Sequence, residues 1–234
     1  VKTRRAELSY AGQLRKVAQQ VGAIVDGFPA GDPEAVPTIT DMLAKYAELL
    51  IPWATATASK MLGEVNRRDE QAWFSHANEI SRALREEIRM APTGALMQQL
   101  LAEQVTLIKS LPLDAAQRVH ELTLAGIEDG TRAKEIAKEI QRSGEVSANR
   151  ANLIARTEVA RTASKLTEAR ALHIGSEGYI WRTSKDSDVR HSHREMEGKY
   201  VRWDTPPRLS DGTVTHAGQI YNCRCYPEPV IPDL

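Results

Sequence analysis

Both cysteines of this 234-residue chain and three of its six histidines fall between Asp186 and Cys225. The stretch reads DSDVRHSHREMEGKYVRW, then a turn-rich passage with Pro206, Pro207, Gly212 and Gly218, then IYNCRC. Cys223 and Cys225 are one residue apart, and in an extended strand such residues point to the same side, so both thiols would face one spot. His191 and His193 share that spacing, and His216 precedes the cysteine pair by a few residues. Two thiolates with one or two imidazoles are what a tetrahedral zinc site requires. The candidate ligands are therefore His193, Cys223 and Cys225, with His191 and His216 as further contributors. The usual two-residue gap between paired zinc cysteines is missing. The competing reading makes these side chains ordinary buried polar and thiol groups that pin a small domain. A Cys223–Cys225 disulfide would strain its short ring. A catalytic alternative uses either cysteine as nucleophile with His193 as base, or a zinc-bound water for hydrolysis. Either chemistry needs an open coordination position or a base within hydrogen-bond reach.

Composition narrows the field. Lysine plus arginine equals aspartate plus glutamate, 31 each, so the chain lacks the overall basic excess of a dedicated nucleic-acid binder. A local excess remains near the C-terminal end, where Trp181, Tyr200 and Trp203 are interleaved with arginines. Arg182, Arg202 and Arg208 are the candidates there for a weak, salt-sensitive contact with DNA phosphates. The favoured reading makes them a solvated face countered by Asp186, Asp188, Glu195 and Glu197. Two cysteines in one short motif indicate a reducing compartment or a metal, not a disulfide scaffold. No apolar run is long enough to cross a bilayer and no signal-peptide pattern opens the sequence, so a soluble protein is expected. Val1 in place of methionine suggests a processed, trimmed or alternatively initiated start.

The elements that must position these residues are mostly helical. Leu8, Leu14, Val17, Val21, Ile24 and Val25 recur at helical spacing and stop at the Gly27 to Pro33 breakers. A second stripe runs from Thr40 to Leu50, with a kink or a new helix at Pro52. Trp73, Ala77, Ile80, Leu84 and Ile88 mark a helix to about Met90, with Trp53 and Trp73 read as core anchors. Ala95 to Lys109 reads as a helix closed before Pro112, and Pro112 as the opening of the next, through Ile127 to Gly130. Thr131 caps a short helix carrying Ala133, Ile136, Ala137 and Ile140, which Gly144 ends. Ser147 opens what reads as the longest helix, closing at Gly175, with a small-residue stripe of Ala155, Val159, Thr162, Ala163, Leu166 and Ala169 suited to close backbone approach. On its other faces, Glu158 and Arg161 can pair, and Arg156 or Glu158 is placed to reach the segment that follows. Strands are predicted at Tyr179–Trp181, around Tyr200–Trp203 and at Ile220–Tyr226. Between the first two, Ser187 to Glu197 makes a short helix or turn ending at Gly198, and PEPVIPDL makes an extended tail. The fold class is α+β: a mostly helical N-terminal part and a small C-terminal domain of a few antiparallel strands packed on a long helix. The expected division is a helical arm at 1–110 and a compact domain at 111–234, the latter built from a helix at 147–174 and a sheet at 179–226.

The order ARTEVAR at 155–161, YIWRTSKDSDVRHSHREMEG at 179–198, and IYNCRCYPEPV at 220–230 resembles the phage head morphogenesis family that includes the Mu F protein and the SPP1 minor head protein. The likeness covers about the last 120 residues, from Pro112 onward. The matching positions are Arg156, Thr157 and Glu158; Asp188, Arg190 and His193; Gly198; and Asn222, Cys223, Arg224 and Cys225. The resemblance implies a non-enzymatic minor structural protein of a tailed-phage head, present in few copies near the portal vertex and acting in assembly or early genome delivery. It implies the portal or the major capsid protein as partner, and the host cytoplasm as location during assembly. Some family members have extra cysteines near the position of His191–His193 and a histidine just before the last cysteine pair. Here those places hold histidine and serine, and Ile220–Tyr221, which leaves His191 and His216 as alternatives for a fourth ligand.

Overall fold

A computed structural model describes residues 3–29, 32–75, 82–128 and 133–232. Helix α1 spans Arg4–Asp26, and a 3-10 turn at Pro33–Ala35 leads into α2, Val36–Leu49. Helix α3, Ile51–Ser75, starts afresh one residue later. Pro52 occupies its first turn, where the missing N–H has no intrahelical partner to lose. Helix α4 covers Arg82–Met90, α5 Thr93–Glu128, α6 Ala133–Gln141 and α7 Ser143–His173. The expected positions of Ala77, Ile80, Gly130 and Thr131 lie outside the described residues.

Three expectations about these helices change. Pro112 neither ends one helix nor opens another: it lies inside α5, which at 36 residues is longer than the 31-residue α7. A proline here forfeits the hydrogen bond to the Ile108 carbonyl at a cost of about 3 kcal/mol. Ile108, Leu111, Ala115 and Val119 carry one buried stripe past it, and each buried large aliphatic returns roughly 1.5–3 kcal/mol. Gly144 does not end α6 but sits in the first turn of α7. A Cβ there would lie 2.9 Å from the Cα of Gly22, so the residue is glycine because α1 and α7 cross closely at that point.

Grouped by contacts, the chain divides into two compact units. One comprises residues 1–7, 60–101 and 156–234, the other residues 8–59 and 102–155. The second is a helical unit whose core joins Val21, Ile24 and Val25 of α1, Val36, Ile39 and Leu43 of α2, Ala115 and Val119 of α5, and Ile140 of α6.

The first unit carries the sheet. Strands β1 (Gly178–Arg182), β2 (Tyr200–Arg202) and β3 (Tyr226–Pro229) form an antiparallel sheet in the order β2-β1-β3, and a one-turn helix α8, His191–Arg194, lies between β1 and β2. Tyr179 pairs with Val201 on one side and Pro229 on the other. The third strand lies later than predicted: Ile220–Cys225 is irregular, and the supposed tail supplies the strand. Asn222 has φ 54°, a left-handed conformation that interrupts an extended run. Pro227 and Pro229 are tolerated because β3 is an edge strand. Tyr179, Trp181, Val201 and Trp203 join Ala171 and Ile174 at the end of α7, together with Trp73, Leu84 and Ile88, in one buried cluster that also holds both cysteines. The α+β class holds, with the sheet packed on the end of a long helix.

Candidate functional site

The segment after β1 is shaped by its own side chains. The Asp186 carboxylate accepts the Asp188 N–H at 3.1 Å, and the His193 N–H donates to the Arg190 carbonyl at 3.0 Å to open α8. Ser192 Oγ donates to Asp211 at 2.8 Å, which holds the short helix from the neighbouring loop. On the far side, the left-handed turn at Asn222 swings the chain so that the Cys225 N–H donates to Cys223 Sγ at 3.4 Å. The two thiols thus share a face because of a turn, not because of a strand.

These two segments meet at a point. His193 Nδ1 lies 3.4 Å from Cys223 Sγ and 3.4 Å from Cys225 Sγ. The three ligand atoms all lie within 4.8 Å of one another, and the residues are 2%, 3% and 5% exposed. The Cys223 thiol is pulled down to about 4, first by the hydrogen bond from Cys225 and then by His193, against the opposing effect of burial. Cys225 is pushed up by the same bond to Cys223 and by burial. Trp181 meets the His193 ring edge to face, with centroids 5.5 Å apart. Among the described residues, His193 Nε2 is buried without a hydrogen-bond partner. A cavity of about 20 Å³ adjoins the trio, lined by Ser184, Asp188, Val189 and Asn222 among others. That is room for about one water.

Two of the five candidate ligands stand apart from this group. His191 is 83% exposed and faces Glu195 at 3.5 Å. Residues two apart on a helix point about 200° apart, so α8 cannot turn both histidines inward. His216 is buried elsewhere, with Nδ1 3.1 Å from the Tyr179 hydroxyl. That hydroxyl also accepts the Ala217 N–H at 3.1 Å. Burial lowers the pKa of His216, with Glu168 and Lys165 acting in opposite directions.

The remaining motif positions surround the trio. Arg156 donates to Asn222 Oδ1 at 2.9 Å and Thr157 Oγ1 accepts the Asn222 N–H at 2.9 Å, so consecutive residues of α7 grip both ends of one asparagine. Arg156 also reaches Glu7 at 3.3 Å. Arg190 donates to the Tyr221 carbonyl at 3.0 Å and lies over the Tyr221 ring at 4.8 Å. Arg224 bridges Asp186 at 2.9 Å and Asp188 at 3.0 Å. Gly198, at φ 77°, closes the turn after α8 by donating to the Trp181 carbonyl. Glu158 is buried and pairs with Arg161 at 3.3 Å, a pairing that their spacing allows. A backbone approaches α7 closely at Ala160 and Ser164, beside the expected small-residue stripe and not on it. Ser164 Oγ donates to the Ala217 carbonyl at 2.7 Å, and a Cβ on Gly218, already at φ 79°, would meet the Cys225 carbonyl at 2.8 Å.

The candidate phosphate-contacting arginines are engaged otherwise. Arg182 pairs with Glu228 at 2.6 Å and Glu197 at 3.6 Å, and Arg202 with Asp204 at 2.8 Å and Glu177 at 3.7 Å. Arg208 donates to the Gly212 carbonyl at 3.2 Å. Sequence reasoning passed over Trp181 as a wall for His193, Tyr179 as the partner of His216, and Glu197, which accepts the Thr183 N–H and hydroxyl at 2.6 and 2.7 Å. Only the aromatic enrichment of the strands hinted at the first two.

An uncharacterized protein of Haemophilus influenzae is 33% identical over 132 residues, covering 56% of this chain and 29% of that protein. An NAD(+)–arginine ADP-ribosyltransferase EFV of Enterococcus faecalis is 32% identical over 123 residues, covering 48% of this chain and 25% of its own length. The chain spans less than a third of either relative. No solved structure matches it. Residues 117–227, which contain Arg156–Glu158, α8 and both cysteines, match the family described as Phage Mu protein F like protein, which supports the resemblance to the phage head morphogenesis family.

Proposed function

We propose that the chain serves as a minor structural protein of a phage head, bound near the portal and acting in head assembly or early genome delivery. The observation that carries this reading is the family match over residues 117–227, the span that holds every motif residue gathered around Cys223 and Cys225. A structural role, not a catalytic one, suits the geometry. His193, Cys223 and Cys225 are buried, and the cavity that all three line takes about one water. The transferase name belongs to a relative of which three quarters lies outside the similarity, and no transferase activity is carried over to this chain.

The docking surface for portal or major capsid protein is assigned to the helices before residue 111. Leu49, 78% exposed, and Met42 on α2 present apolar side chains of the kind that seat against a partner. Contact with packaged DNA is at most a weak, salt-sensitive accessory, since Arg182 and Arg202 already face carboxylates. The test is co-purification of the full chain with a portal ring, in which the two are expected to migrate together. Heads assembled without portal that retain the protein in normal amount would contradict it.

A further inference from the structure

We propose that His193 Nδ1, Cys223 Sγ and Cys225 Sγ hold a single zinc ion, with a water in the adjoining cavity as fourth ligand. A tetrahedral zinc at about 2.3 Å from sulfur and about 2.0–2.1 Å from nitrogen sets each nitrogen–sulfur pair roughly 3.5 Å apart. Both such pairs here are 3.4 Å apart. A ring nitrogen carries one proton at most, so a hydrogen bond serves both sulfurs only as a shared, three-centre one. A cation between the three atoms satisfies all of them at once.

The donor set selects the metal. Two thiols and an imidazole suit zinc and disfavour magnesium or calcium, which take oxygen ligands. The scaffold is also built without help from the ion. Arg190 fixes the Tyr221 carbonyl, Arg224 ties the turn to Asp186 and Asp188, and Ser192 anchors α8 to Asp211. Ligands from α8 and from the 222–225 turn are thus held at coordinating distance by contacts that none of the three makes itself. Such preorganisation is what lets three protein ligands retain an ion whose fourth position is solvent. The cavity of about 20 Å³ lies on that open side. The ion would close the module by joining two segments 30 residues apart in the chain. The proposal concerns the chemistry of this cluster alone and does not depend on the role in the phage head.

The test uses the full chain, purified under reducing conditions. Elemental analysis after gel filtration is expected to find one zinc per chain. His191→Ala and His216→Gln variants are expected to keep it, and the Cys223→Ser, Cys225→Ser double variant to lose it. Because the double variant can also lose its fold, a second measurement uses the unmodified sequence. The metal-stripped chain is titrated with Co²⁺, and thiolate-to-cobalt charge-transfer absorption with tetrahedral d–d bands is expected to saturate at one equivalent and to bleach on adding zinc. A folded chain with two titratable free thiols that binds no zinc and gives no cobalt–thiolate absorption would overturn the proposal. So would zinc that survives in the double variant.

Discussion

Asn222 is held by its side chain from Arg156 and by its backbone N–H through Thr157, and it is this residue that turns both cysteines toward His193. Replacing Thr157 with valine keeps the volume and removes the acceptor of a backbone donor. The loss is expected to be about 0.5–1 kcal/mol in urea unfolding, since water reaches the exposed donor, while Thr157→Ser should stay near the parent value. The histidines show where residue types stop being informative. His191 and His193 are chemically equivalent in a list, yet α8 points one at solvent and the other at the sulfurs. Deciding between them needs the helix phase, which four residues of sequence do not reveal. His216, read as a ligand, is a neutral core histidine, and that gives it a pH signature. Its folded pKa lies below the ordinary value of about 6.5, so it stays uncharged in the fold where the unfolded chain takes up a proton. The stability it contributes is complete above that ordinary value and is lost as pH falls through the folded pKa. Unfolding free energies measured between neutral and mildly acidic pH should therefore decline toward acid, and His216→Gln should flatten that decline. An unchanged slope in the variant would remove His216 as its source.

Among the elements, α5 tests how far a local rule yields to burial. Its proline interrupts the hydrogen-bond ladder of a helix whose buried stripe runs unbroken across it. Pro112→Ala restores an N–H for the Ile108 carbonyl and should raise thermal stability by up to about 3 kcal/mol. A destabilised variant would mean that the helix is shaped around the proline and not in spite of it. The same override explains why the helical stripes of α1, α2 and α7 were legible in the sequence and the break at residue 112 was misplaced. Periodicity records which face is buried, whereas a breaker records only a local cost. The third strand escaped for the opposite reason. Ile220–Tyr226 has strand-forming residues, but the left-handed Asn222 lies in their midst, and the hydrogen bonds of β1 go instead to a proline-bearing segment that composition marks as a tail.

For the molecule as a whole, the contact-defined units interleave along the chain. The unit with the sheet recruits residues 60–101, and a buried ion pair shows how. Asp69 of α3 accepts hydrogen bonds from Thr167 and Arg170 of α7, while Arg170 also donates to Asn66 at 2.8 Å. Asp69→Ala leaves a buried guanidinium without its counter-charge and should cost about 3–5 kcal/mol, read as a lowered midpoint of that unit's unfolding. Nothing in the spacing of residues 69 and 170 announces this link, because pairing across a hundred residues leaves no periodic trace. The family motifs, by contrast, were readable as motifs, and the fold gathers most of them around two sulfurs. If a chain built on this module works as a part of the phage head, quantitative mass spectrometry of purified, DNA-filled heads from a phage that encodes it should find the protein in every preparation at a few copies per head, far below the major capsid protein. Purified heads that lack it would overturn that role.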